Sequence, residues 1–233
     1  MLQVRNLTAH YGDFQALFGV DFDLTQGSIV ALIGANGAGK STFLRSIAGQ
    51  MTRKSGEIRF NSEEISALPP DRIVRDGISM VPEGRRLFRS LSVEENLKVG
   101  AFAGRGGRWT LDAVYDLFPA LRDKRYAPAT ALSGGQQQMV ALGRGLMSNP
   151  DLLMCDEVSL GLSPAVIRDI YKVFPQLRAE RLSLIVVEQD IDAALGVADS
   201  VYCFMHGKVT LRGTPKELTK ERISAAYFGL EAA

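Results

Sequence analysis

The sequence predicts an α/β fold, a mainly parallel sheet flanked by helices. Three observations predict it. A buried-type strand, Ser28-Ile-Val-Ala-Leu-Ile33, runs into a glycine-rich loop, and the helical stretch Thr42-Phe-Leu-Arg-Ser-Ile-Ala48 follows it. Leu152–Cys155 and Leu184–Val187 are continuous apolar runs, the pattern of parallel strands covered on both faces. Strand and helix signals alternate again after Gly134.

Along the chain, Leu2–Val4, Val20–Leu24, Ile29–Ile33 and Glu57–Phe60 read as short β pieces, punctuated by Gly27 and Gly56. Ile78–Val81 is a further strand ending at Pro82. From about Leu87 to Ala131 the character becomes helical: Ser92-Val-Glu-Glu95 is a capping box, and Leu111–Phe118 has helical spacing and stops at Pro119. Gly104-Arg-Gly-Gly-Arg108 between them reads as a flexible, solvated basic link. Pro175 interrupts a helical segment from Ala165 to Arg181 and is expected to kink it. Val201–Met205, the turn His206-Gly207 and Val209–Leu211 read as a closing hairpin.

With 233 residues, the chain forms one large domain or one domain with a sub-lobe. A net charge of +1, from 27 basic and 26 acidic residues, argues against a broad nucleic-acid footprint. Cys155 and Cys203 lie in apolar runs and read as packed core residues. The N-terminus has no charged-then-apolar signal pattern, and the apolar runs are far shorter than the ~20 residues of a membrane helix. The expectation is a cytosolic chain that can sit on a membrane protein.

Gly34-Ala35-Asn36-Gly37-Ala38-Gly39-Lys40-Ser41 fits G-x-x-x-x-G-K-[ST]. Its glycines let the backbone curl so that several N–H groups face one centre, and a helix starting near Lys40 adds its positive end. In that pattern Lys40 reaches the β- and γ-phosphates of a nucleotide and the Ser41 hydroxyl takes Mg²⁺. Asp156-Glu157 at the end of an apolar strand then gains meaning: an Asp there holds Mg²⁺, and the next acid polarises a water for attack on the γ-phosphate.

Leu132-Ser133-Gly134-Gly135-Gln136, between the loop and the acidic strand, resembles the signature motif of ATP-binding cassette (ABC) proteins. The resemblance covers essentially the whole chain. It implies a P-loop NTPase-type core at 1–86 and 150–233 that includes an antiparallel β subdomain, and a helical subdomain at 87–149 carrying the signature. It also implies ATP and Mg²⁺ as ligands, with Tyr11 stacking on adenine and Gly34 through Thr42 on the phosphates. Ser41 and Asp156 would take the metal, and Ser133, Gly134 and Gly135 the γ-phosphate of a second cassette in a head-to-tail dimer. Ser159-Leu-Gly-Leu162 resembles the loop that crosses the dimer interface, with Val158 where the family usually has proline.

Two positions depart from the family pattern. Glu83 stands at the glutamine of the glutamine loop, where it can still accept from water and ligate Mg²⁺ but cannot donate. Gln189 stands at the switch histidine, where it can donate an N–H but cannot become a cation. The strings Val-Pro-Glu-Gly-Arg-Arg, Leu-Ser-Val-Glu-Glu-Asn-Leu and Val-Glu-Gln resemble one of the two different ATPase subunits of bacterial branched-chain amino-acid importers; close relatives in that branch serve urea or short amides. The implied partners are a second, different cassette, two membrane permeases and, indirectly, a soluble binding protein. The implied place is the inner face of the membrane. A non-transport ABC ATPase acting as an assembly scaffold is the alternative, as is a subunit that binds ATP and hydrolyses it slowly.

Overall fold

A computed structural model describes residues 1–218 together with Arg222 and Ile223. Two sheets share one core. In the first, β1 (Leu2–Tyr11) and β2 (Phe14–Leu24) form an antiparallel hairpin, joined later by β4 (Arg53–Phe60) and the short β5 (Glu63–Glu64), in the order β2-β1-β4-β5. The second takes in β3 (Ile29–Ile33), β6 (Ile78–Val81), β7 (Leu152–Asp156), β8 (Ser183–Glu188), β9 (Ser200–Met205) and β10 (Lys208–Gly213), in the order β10-β9-β3-β8-β7-β6. All its pairings are parallel except that of β9 with β10.

The first strand is longer than the Leu2–Val4 segment the sequence suggests. Leu2, Val4, Leu7 and Ala9 all face the core, but a bulge around Asn6, whose φ is +49°, breaks the two-residue alternation. The same bulge meets β4, so that strand also starts earlier than Glu57. Helix α1 (Lys40–Ile47) lies between the sheets, and its Phe43 wedges between Phe22 of the first and Phe204 of the second, ring centroids 5.1 and 5.5 Å away. These residues, with Ile47, Leu32 and Ile185, form one continuous apolar core.

The opposite face of the parallel sheet is covered by helices. They are α3 (Val93–Gly100), α4 (Leu111–Leu117), α5 (Pro119–Arg122), α6 (Gly134–Leu146), α7 (Pro164–Tyr171) and α8 (Phe174–Ala179), while α9 (Ile191–Val197) packs at the β3–β9 end. Helix α2 (Pro70–Arg75) falls in a stretch to which the sequence pattern assigns no element. The capping box of α3 forms as expected: Glu95 N–H donates to Ser92 Oγ at 3.2 Å and Ser92 N–H to Glu95 Oε2 at 2.7 Å. Residues 87–91, expected to begin the helical region, are irregular instead. They are pinned by the buried Asn96, which accepts from Phe88 N–H and donates to the carbonyls of Phe88, Leu91 and Ser92.

Two further expectations are corrected. Pro175 does not kink one helix but sits in the first turn of a second: α7 ends at Tyr171 and α8 starts at Phe174, because a proline fits a first turn and not an interior one. The Gly104–Arg108 link is not a free solvated loop. Arg105 donates to the carbonyls of Asn149 and Arg75 and pairs with Asp151 at 2.8 Å, and Arg108 pairs with Glu180. Cys155 and Cys203 are both buried, on strands separated by β3 and β8. Among the described residues no helix is long and apolar enough to cross a membrane.

Candidate functional site

The glycine-rich loop joins β3 to α1. Gly39, the last residue before the helix, has a φ of +105°, a conformation L side chains rarely adopt, and a Cβ there would meet Leu17 Cδ2 at 2.9 Å. Lys40 opens the helix almost fully buried, its Nζ donating to the carbonyls of Gly34 at 2.5 Å and Ala35 at 3.0 Å. Burial pulls the Lys40 ammonium below its usual range, opposed by the negative charge of Glu157, Asp156 and Glu188.

The neighbouring strands deliver the rest. In the order β3-β8-β7, parallel register sets Ile33 beside Glu188 and Asp156 beside Val187. Three strand ends therefore open on one spot, the crevice where open α/β sheets bind ligands. Ser41 Oγ donates to Asp156 Oδ1 at 3.0 Å, and Asp156 Oδ2 is buried with no partner among the described residues. Burial holds the Asp156 carboxyl above the usual carboxylate range, partly offset by the Ser41 hydroxyl. A buried carboxylate oxygen without a donor beside a hydroxyl is an oxygen-donor pair that suits a hard divalent cation such as Mg²⁺.

Tyr11, Asn36 through Thr42, Glu83, Glu157 and Gln189 line one cavity of about 410 Å³. Tyr11 is 44% exposed at the end of β1, its hydroxyl 3.3 Å from Thr42 Oγ1. Glu157 sits just beyond β7 with a φ of +52°, held by its N–H donating to Val187 O at 3.1 Å. A non-glycine residue in that region costs ~1–3 kcal/mol and persists where its surroundings hold it. Ser133, Gly134 and Gly135 lie outside this cavity, at the start of α6. Ser133 is exposed; its Oγ accepts from Gln136 N–H at 3.3 Å, which leaves its O–H free to donate, and Gln136 Oε1 accepts in return from Ser133 N–H. His10 is a half-buried strand residue and His206 a turn residue, both away from the cavity lining.

Three features were not legible in the motifs. Phe14, 71% exposed, lines the cavity next to Tyr11. Arg144 donates to the carbonyls of Arg85 and Arg86, consecutive residues with φ of +66° and +45°, and so fixes the loop after Glu83. The third is Glu188, fully buried at the end of β8; an acid closing an apolar run was the one sequence cue to it. The hairpin turn at His206-Gly207 braces the glycine-rich loop: Gly207 N–H donates to Ala38 O, and Gly207 O accepts from Phe18 N–H, both at 2.9 Å. A Cβ on Gly207 would lie 2.2 Å from Ala16 O.

A profile of the ABC transporter family matches residues 17–159. The chain is 43% identical over 232 residues to the high-affinity branched-chain amino acid transport ATP-binding protein BraG of Pseudomonas aeruginosa, covering 98% of this chain and 100% of that one. It is 38% identical to the probable branched-chain amino acid transport ATP-binding protein LivF of Archaeoglobus fulgidus, with 99% of each covered. Among solved structures, the ADP conformation of an ATP-binding cassette of an ABC transporter superposes with a TM-score of 0.82 at 25% identity, covering 97% of this chain and 93% of that one. The chain belongs to the ABC transporter family, as one of its ATPase subunits.

Proposed function

We propose that this chain powers an ABC importer for branched-chain amino acids or related small amides or urea, working in a head-to-tail dimer with a second cassette that is a different chain. The observation that carries the reading is the division of the site. Lys40, Ser41, Glu157 and Gln189 line one cavity, with Asp156 bonded to Ser41 beside it, while Ser133 to Gly135 stand outside it, so one copy holds only half of each composite ATP site. The cargo rests on the names of the two relatives, at 43% and 38% identity.

In this reading Tyr11 stacks on adenine and the backbone N–H groups from Asn36 to Thr42 cradle the phosphates, with Gly34 and Ala35 shaping the entry to the loop. Lys40 meets the β- and γ-phosphates. Ser41, Asp156 and Glu83 would hold Mg²⁺, which when bound neutralises charge developing on the phosphates. Glu157 orients water and accepts its proton, and Gln189 donates an N–H to a γ-phosphate oxygen. Ser133, Gly134 and Gly135 receive the γ-phosphate of the partner's ATP, so binding closes the dimer and loss of that phosphate reopens it. Catalysis is mostly positioning and charge stabilisation. An open apolar groove of about 420 Å³, beside Phe88, Val99 and Phe102, supports docking of permease helices. Phe102 is 89% exposed there.

Purification of the tagged chain from detergent-solubilised membranes, with mass spectrometry of what accompanies it, tests the reading. Two permeases and a different cassette are expected. Soluble assembly proteins alone, or a self-dimer alone, would overturn it in favour of a scaffold ATPase.

A further inference from the structure

The end of β8 carries more than Gln189. Two consecutive residues there hold the same loop from one side, and a third faces the cavity. Val187 O accepts the N–H of Glu157, Glu188 grips Ser159, and Gln189 lines the cavity. Glu188 Oε1 accepts from Ser159 N–H at 3.2 Å and from the Tyr171 hydroxyl at 2.5 Å, and Oε2 accepts the Ser159 hydroxyl. Tyr171 is the last residue of α7, and its ring packs on Phe174 with centroids 4.9 Å apart. The carboxylate is thus anchored from one helix and spends both oxygens on a loop residue.

An acid buried at the end of a strand costs stability, and an apolar residue of similar size would fill the position better on packing grounds alone. The loop explains what the acid does. Glu157 holds a left-handed backbone, and Leu160 N–H closes a turn on Glu157 O at 3.3 Å. Without a fixed point inside that turn, the strained residue can relax to an extended conformation and swing its carboxylate away. Ser159 is the fixed point: both its backbone N–H and its hydroxyl are taken by Glu188.

We propose that Glu188 is a positioning residue for ATP hydrolysis, which through Ser159 holds the loop that presents Glu157 to the phosphate cavity. The inference rests on the reading of Glu157 given above. Glu188 touches no reacting atom; it acts on the geometry of the group that does, where a displacement of about 1 Å lowers turnover by ~100-fold.

The test compares ATP hydrolysis by the full chain, assembled with the proteins that copurify with it, as wild type and as Glu188→Gln, Ser159→Ala, Ser159→Thr, Tyr171→Phe and Glu157→Gln. The amide in Glu188→Gln keeps the shape but turns a donor toward one of the three donors. A fall in kcat of ~10–100-fold with KM for ATP within about twofold of wild type is expected for Glu188→Gln and Ser159→Ala. Ser159→Thr, which keeps the hydroxyl, is expected to recover most of the loss. In the Glu157→Gln background, Glu188→Gln is expected to add nothing, because the group it positions is gone. Wild-type kcat in both Glu188→Gln and Ser159→Ala, beside an inactive Glu157→Gln, overturns this inference alone. A rise in KM that accounts for the whole loss also overturns it, as the mark of a general structural role. Wild-type turnover in Glu157→Gln overturns the reading of the base, and this inference with it.

Discussion

Asn96→Asp isolates the contribution of one side chain to the loop that carries Glu83 and Phe88. Asn96 is fully buried, and its Nδ2 lies 2.9 to 3.3 Å from the carbonyls of Ser92, Phe88 and Leu91. Two N–H bonds are shared among these three acceptors. The substitution keeps the shape, removes both donors and sets a carboxylate oxygen against carbonyl oxygens. Each lost buried partner costs ~1–3 kcal/mol, so the change costs ~2–6 kcal/mol. At ~2–4 °C per kcal/mol for a chain of this size, Tm falls by roughly 10 °C at neutral pH. The sign of the pH dependence follows. The introduced carboxyl, buried and facing acceptors, has a folded-state pKa raised above its unfolded value of ~3.9. The folded variant therefore binds more protons than the unfolded one, and its deficit shrinks as pH falls through the raised pKa, because the neutral acid can donate one O–H. Paired thermal melts of wild type and variant from pH 7 to pH 5 measure this. A Tm within about 2 °C of wild type at pH 7, or a deficit unchanged on acidification, would refute the hydrogen-bond accounting.

Other outcomes are expected from the same structure. Glu157→Gln is expected to bind ATP with wild-type affinity, lose turnover by ~100-fold or more and accumulate as a closed dimer on a sizing column, and retention of turnover would remove Glu157 as the base. Gly135→Ala places a Cβ 2.5 Å from Val166 Cγ1, between α6 and α7, and is expected to cost ~1–3 kcal/mol in a denaturant titration. A fully stable variant would show that α7 can shift away from the signature. Burial pushes the Cys203 thiol up to about 11 and the Cys155 thiol higher still, so neither is expected to alkylate in the native chain at pH 8. Two rapid native modifications by mass spectrometry would contradict that burial.

What the sequence reveals here is what is local. The glycine-rich loop, the capping box of α3, the strands β3, β6, β7 and β8 and the hairpin at His206 all carry their signals within about ten residues, and the observed elements match them. What escapes is what crosses the chain. Ser159 and Glu188 are 29 residues apart in sequence, and Arg105 and Asp151 are 46 apart. No period links such pairs, so a pinned arginine reads as a loose basic link, and a buried acid gives no sign of the loop it grips. The bulge at Asn6 hides a strand for a different reason, because one extra residue shifts every later side chain to the opposite phase.

The hairpin turn at Gly207 has a consequence for ligand size. One glycine touches both the glycine-rich loop, through Ala38 O, and the antiparallel sheet, through Phe18 N–H, with no room for a side chain. The sheet that carries Tyr11 and the loop that carries Lys40 are therefore spaced by a rigid strut of fixed length. In the proposed function that strut works as a ruler: it sets how far an adenine on Tyr11 would sit from a phosphate at Lys40. A turn one residue longer would recalibrate the site for a molecule of different span, while Lys40 and Ser41 kept their places in the loop.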